Sequence, residues 1–298
     1  MEGREVKSFW CGVGEKERAG GEGIAGVDRG LKSVRTHSLW DSAGGGDVLE
    51  RISFESPQGM KMAGVVHWPE QKARVGVVIC HGMLSYKDSP KFLAIAAGLE
   101  ALGYAVLRFD FVGRGESAGT LEDLDFSREA GECRVALGQL RARGIDRLGL
   151  LGSSMGGAVA IMVASEEPIE ALVTLAAIGR ADLLPERAIG EKALRAWARR
   201  GVLRLEQQRV GYSFIRECRT LDLPARAARV RCPWLILHGE KDKVVPPSDA
   251  ADLHKATGGR ARLEILADAD HQFSLDEHRR AVVQRAVTFL DQQLRQYL

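Results

Sequence analysis

Three residues far apart in the chain carry the side chains that acyl transfer requires: Ser154, Asp242 and His271. A serine hydroxyl is a weak nucleophile until an imidazole takes its proton. An imidazole does so best when a carboxylate fixes its tautomer and stabilises its cation. Ser154 is the centre of Gly152, Ser153, Ser154, Met155 and Gly156, a G-x-S-x-G sequence between an apolar stretch at 148–151 and the apolar segment AVAIMVAS. This pattern predicts a sharp strand-to-helix turn that pushes the hydroxyl outward. The first N–H groups of the following helix, and its positive dipole end, point to the same place. Glycine is abundant, with 34 in 298 residues, so five residues are a weak signal alone and the surroundings of the other two decide the reading.

Asp242 lies in HGEKDKVVP at 238–246, after a predicted buried strand and before a helix that begins with proline. A carboxylate there is placed to hold an imidazole; the competing reading is a surface turn between two lysines. Asp249 also competes for the role, but it reads as a first-turn residue of the following helix. His271 lies in ADADHQF, after the last predicted strand and before the last helix. His254 and His278 fall within predicted helices and read as surface residues, and Asp268 and Asp270 as loop or capping carboxylates. His81, Gly82 and Met83 follow the apolar run VGVVIC, where a second oxyanion-binding amide is expected. The backbone N–H groups of Met83 and Met155 are the expected donors, and His81 is expected to orient the loop.

These positions need a scaffold of strand ends. Residues 48–55 and 60–67 read as a β-hairpin around the turn formers at 56–59. A continuous apolar run at 75–80 predicts a strand buried on both faces, and 104–109 reads as another buried strand. Helices are predicted at 90–102, 121–143, 155–164, near 248–256, and at about 275–296. Further strands are predicted at 147–151, 170–176, 234–237 and 262–266. Strands alternating with helices imply a mostly parallel eight-stranded sheet covered on both faces. From 180 to 230 the alternation lapses into a helical pattern, read as a small cap inserted over the strand ends, where open α/β sheets bind ligands. The cap region 179–230 carries eleven arginines and one lysine against six acids. That surplus predicts either a solvated helical face, the favoured reading, or a basic lid for anionic substrates. Leu183, Leu184, Trp197, Leu203, Leu205, Phe214 and Ile215 are expected on its pocket side. Residues 1–46 are glycine-dense and aperiodic and read as a flexible extension preceding a domain over 47–298.

The bulk composition narrows the classes. A net charge of +2 gives no general pull toward nucleic acid or anionic membrane. The arginines also lack the interleaved aromatics of a base-stacking platform. No run approaches the roughly 18 apolar residues of a membrane span. Five scattered cysteines without C-x-x-C spacing favour reduced thiols, and hence a cytoplasmic setting, over a disulfide framework or zinc site. The expected chemistry needs no metal or organic cofactor, and the expected partner is a small-molecule ester.

The order Ser154, Asp242, His271, each at a predicted strand end, resembles the α/β-hydrolase superfamily from about residue 48 onward. DFVGRGES at 110–117 is similar to that family's D-x-x-G-x-G-x-S loop, and HGEKDKVVP to the segment around its acid. The run at 115–133 resembles the group of serine-aminopeptidase-like lipases and small feruloyl or cinnamoyl esterases. Met83 departs from the residue those esterases often carry, which affects pocket preference but not a backbone donor. The resemblance implies a serine esterase; an acyltransferase, thioesterase, lipid hydrolase or peptidase would use the same residues. A dehalogenase or epoxide hydrolase would need aspartate at 154. A ligand-binding member without turnover fits poorly with an intact Ser, Asp and His.

Overall fold

The computed structural model describes residues 48–205 and 208–298. The expected extension at 1–46 lies outside the described residues. Ten strands are present among those described: β1 (Val48–Glu55), β2 (Lys61–Trp68), β3 (Val75–Cys80), β4 (Ala105–Phe109), β5 (Arg147–Ser153), β6 (Ala171–Leu175), β7 (Val202–Leu205), β8 (Gln208–Gly211), β9 (Trp234–Gly239) and β10 (Arg262–Leu266). Eight of them form one sheet in the order β1-β2-β4-β3-β5-β6-β9-β10. β1 pairs antiparallel with β2, and β2 with β4, while β4, β3, β5, β6, β9 and β10 run parallel. β3 (VGVVIC) and β4 (AVLRF) are buried along their whole length, as strands covered on both faces must be.

Helices cover both faces. α1 (Pro90–Glu100) and the last long helix, α9 (Asp276–Leu294), pack on one side around Phe92, Leu99, Phe289 and Leu290. α2 (Phe126–Arg141) and α3 (Met155–Ala164) pack on the other, where all ten residues of α3 are buried. Parallel pairing brings the C-terminal ends of β3, β5, β9 and β10 to one edge of the sheet. Cys80 sits beside Gly152, and Leu266 beside Gly239.

Two expectations are corrected. The predicted helix at 121–143 is interrupted: a 3-10 turn at Leu121–Asp123 precedes α2. The break is local, because the Asp125 side chain accepts the Arg128 N–H at 2.6 Å and so starts a new helix. The segment between β6 and β9 is not wholly helical. It holds α4 (Leu184–Ile189), α5 (Glu191–Arg200), α6 (Ser213–Cys218) and α7 (Leu223–Arg229), but also the antiparallel β7–β8 hairpin. Gly201, at φ 73°, ends α5 in the left-handed region and turns the chain into β7. The Trp197 indole then donates to the Val210 carbonyl at 3.0 Å, joining helix to hairpin.

Candidate active site

The turn at 152–156 has the strain its sequence predicts. β5 ends at Ser153, Ser154 adopts φ 55° and ψ −120°, and α3 begins at Met155. A non-glycine residue at positive φ is costly and persists only where its surroundings hold it. Here the Ser154 N–H donates to the Leu175 carbonyl at 2.9 Å, and the Ser154 carbonyl accepts from Gly157 at 3.0 Å. Gly156 is required by close approach: a Cβ there would lie 2.3 Å from the His81 carbonyl oxygen and 2.5 Å from that of Cys80. Both obstacles are backbone and have nowhere to go. Gly156→Ala is therefore expected to cost about 1–3 kcal/mol, read by urea denaturation, and to distort the serine turn, read as lost turnover. A variant of parental stability would contradict the packing.

The three predicted side chains meet at the sheet edge. His271 Nδ1 lies 2.7 Å from Asp242 Oδ2, and His271 Nε2 lies 3.1 Å from Ser154 Oγ. An ionised carboxylate only accepts, so the His271 proton sits on Nδ1 and Nε2 faces the serine as the acceptor. Asp242 and His271 are buried, while Ser154 is half-buried. The other oxygen of Asp242 accepts the N–H groups of Val244 and Val245, each at 2.8 Å. Burial by itself would raise the Asp242 carboxyl, but the hydrogen bonds from His238 and His271 outweigh it and hold the group well below the usual carboxylate range.

His238 belongs to this arrangement and was not singled out from the sequence. Its Nε2–H is shared between the Val245 carbonyl at 2.9 Å and Asp242 Oδ2 at 3.2 Å, so it braces the carboxylate from behind. The only sequence signal was its place in the HGEKDKVVP segment.

The expected oxyanion donors lie beside Ser154. A Cβ added to Gly82 would stand 3.1 Å from Ser154 Cβ, which brings the Gly82–Met83 backbone against the serine. Neither the Met83 nor the Met155 N–H donates to a backbone acceptor among the described residues. His81 plays the orienting part: Nδ1–H donates to the Gly82 carbonyl at 2.8 Å and Nε2 accepts the Phe111 N–H at 3.0 Å. Burial, opposed by that carbonyl, pushes the His81 imidazole down to about 4, so it is neutral and its two roles are fixed. Asp110 anchors the same loop by accepting the Lys87 N–H at 2.7 Å.

The competing carboxylates and histidines have other partners, although Asp268 and Asp270 also line the cleft over Ser154. Asp249, in the first turn of α8 (Pro247–Ala256), accepts from the N–H groups of Gly179 and Arg180 and from Arg187, tying the start of the inserted segment to α8. Asp268 pairs with Lys241, and Asp270 accepts the Ser274 N–H. His254 and His278 are half-buried rather than exposed; His254 donates to the Ala261 carbonyl.

A cleft of about 420 Å³ opens over Ser154, walled by Met83, Leu84, Lys91, Val244 and Gln272. Among the described residues, none of the apolar residues expected on the pocket side of the insertion lines it. Leu184, Trp197, Phe214 and Ile215 are instead buried in the core, with Leu203 packed against them. The side chain of Leu205 lies outside the described residues. The arginines of the insertion do not reach the cleft either. Arg180, Arg187, Arg209, Arg219 and Arg226 are engaged by carboxylates of the insertion or of the body beneath it.

Comparison with known proteins gives three findings. The model of the alpha/beta hydrolase family matches residues 77–285. The palmitoyl-protein thioesterase ABHD10, mitochondrial, of Homo sapiens is 29% identical over 180 residues, which are 57% of this chain and 58% of that protein. The match thus spans less than two thirds of the length of these thioesterase relatives. Among solved structures, ferulic acid-bound Est1E from Butyrivibrio proteoclasticus superposes with a TM-score of 0.71 at 21% identity, covering 82% of this chain and 99% of that one. Mouse alpha/beta hydrolase domain-containing protein 10 gives 0.65 at 21% identity, covering 82% and 99%. At these identities the two structures speak for the fold alone.

Proposed function

The chain belongs to the alpha/beta hydrolase family, and from that premise we propose that it hydrolyses carboxylic esters of small molecules through an acyl-enzyme on Ser154. One observation carries the proposal. A serine held at positive φ on the strand-to-helix turn has its Oγ 3.1 Å from an imidazole whose other nitrogen is 2.7 Å from a buried carboxylate. In this reading Ser154 Oγ attacks the ester carbonyl carbon as His271 Nε2 takes its proton. Asp242 holds the tautomer and balances the imidazolium. The amides of Met83 and Met155 bind the oxyanion of the tetrahedral intermediate. Collapse of that intermediate breaks the carbon–oxygen bond to the leaving group, and His271 returns the proton to the departing alkoxide. Water, deprotonated by the same imidazole, then frees the acid and regenerates the serine. The residues from 47 to the end are proposed to form one hydrolase domain, with 180–230 as its insertion.

A second reading, thioester hydrolysis, has a specific motive in the printed activity of the curated relatives, palmitoyl-protein thioesterase. The chemistry differs only in the leaving atom, sulfur for oxygen, and the same side chains serve both. Hydrolysis of a p-nitrophenyl ester series from acetyl to long acyl chains, with a feruloyl ester and a thioester of matched acyl length, tests both readings. Ester turnover that depends on Ser154 supports the first. Thioester turnover with no ester activity would replace it by the second, and a folded protein inert to both would overturn the proposal.

A further inference from the structure

Lys91 is the buried lysine of a cleft that Lys241, Lys243, Asp268 and Asp270 also line. It stands in the first turn of α1, is 7% exposed, and lines the cleft that opens over Ser154. Its ammonium lies 5.3 Å from the centre of the Phe92 ring and 5.9 Å from that of Phe273. No carboxylate among the described residues comes within ion-pair distance of it, and it has no hydrogen-bond acceptor among them. Cation–π contacts return only part of the hydration that such a charge gives up. Burial accordingly pushes the Lys91 amine down to about 8, although the more distant Asp270 and Asp242 pull it up; Arg279 adds to the fall. The other lysines of the cleft are differently placed. Lys241 is paired with Asp268, and Lys243 is exposed at the rim, where water screens it.

Resting on the ester-hydrolase reading, we propose that Lys91 selects esters that carry a carboxylate and seats that group in the cleft beside Ser154. A single buried ammonium with Asp270 and Asp242 in its field suits one negative charge better than two, which favours a carboxylate over a phosphate dianion. The bound carboxylate supplies the ion-pair partner that Lys91 lacks among the described residues, and the ammonium supplies up to three donors. No arginine of the insertion lines the cleft.

The test compares p-nitrophenyl hydrogen glutarate with p-nitrophenyl pentanoate, an acyl group of similar length without the charge, in the parent, Lys91→Met and Lys91→Arg. The ratio of kcat/KM, anionic over neutral ester, is expected to fall about ten- to hundredfold in Lys91→Met, the range for losing a hydrogen bond to a charged group. The fall should lie mainly in KM for the glutarate ester. Lys91→Arg should recover part of the ratio, because it keeps the charge. If Lys91→Met lowered kcat for both esters equally, the lysine would act through Asp242 or packing, and the inference would be overturned. A parent active on both esters with a ratio that Lys91→Met leaves unchanged would overturn this inference alone. A parent inactive on both would overturn the hydrolase reading and this inference with it.

Discussion

Replacing Ser154 by alanine is expected to lower ester turnover by about four to six orders of magnitude, with the fold intact. The size follows from what is removed and what remains. Ser154 Oγ is the group within hydrogen-bond reach of His271 Nε2, so without it the imidazole has no covalent nucleophile to deprotonate. The cleft and the amides of Met83 and Met155 stay in place, so a residual acceleration over water should survive. Alanine also relieves little of the strain at φ 55°, because that strain is held by the Ser154 N–H and carbonyl contacts to Leu175 and Gly157. Steady-state hydrolysis of p-nitrophenyl esters, with far-ultraviolet circular dichroism as the fold control, measures the effect. A loss of less than tenfold would show that another group does the chemistry.

Asp242→Asn is expected to be almost as severe, about ten-thousandfold in kcat, and its cause can be traced atom by atom. Asp242 Oδ1 accepts two N–H groups, from Val244 and Val245. An asparagine keeps those bonds only by turning its carbonyl oxygen toward them, which directs its NH2 group at His271 Nδ1 and His238 Nε2. His271 must then accept at Nδ1 and carry its proton on Nε2, facing Ser154, so it can no longer take the serine proton. His238 is left with a donor facing a donor, so a loss of stability should accompany the loss of rate. Turnover recovered at high pH, where free hydroxide replaces the general base, would fit this account. A variant with near-parental kcat at neutral pH would contradict it.

The positions of Ser154, Asp242 and His271 were legible because each sits where an apolar strand run ends, and parallel pairing gathers such ends at one edge. His81 was legible for the same reason, and its two bonds match the orienting part expected of it. The β7–β8 hairpin was not, because its strands are four residues each, too short for a period. The pocket side of the insertion was misplaced on the same ground. Trp197, Phe214 and Ile215 are apolar whether they face a ligand or a core, and only packing decides between the two. His238 and Lys91 left no periodic trace at all. The importance of His238 lies in an approach to Asp242 across a loop, and that of Lys91 in a partner it lacks. Neither relation has a counterpart in spacing along the chain.

The central claim is that acyl transfer passes through Ser154 as a covalent intermediate. Intact-mass spectrometry of the protein after reaction with a fluorophosphonate, followed by peptide mapping, tests it most directly. The account predicts one adduct per chain, located on Ser154, absent from Ser154→Ala and formed in step with the loss of ester turnover. Ester hydrolysis that persists without an adduct, or an adduct on another residue that abolishes turnover while Ser154 stays unmodified, would contradict it.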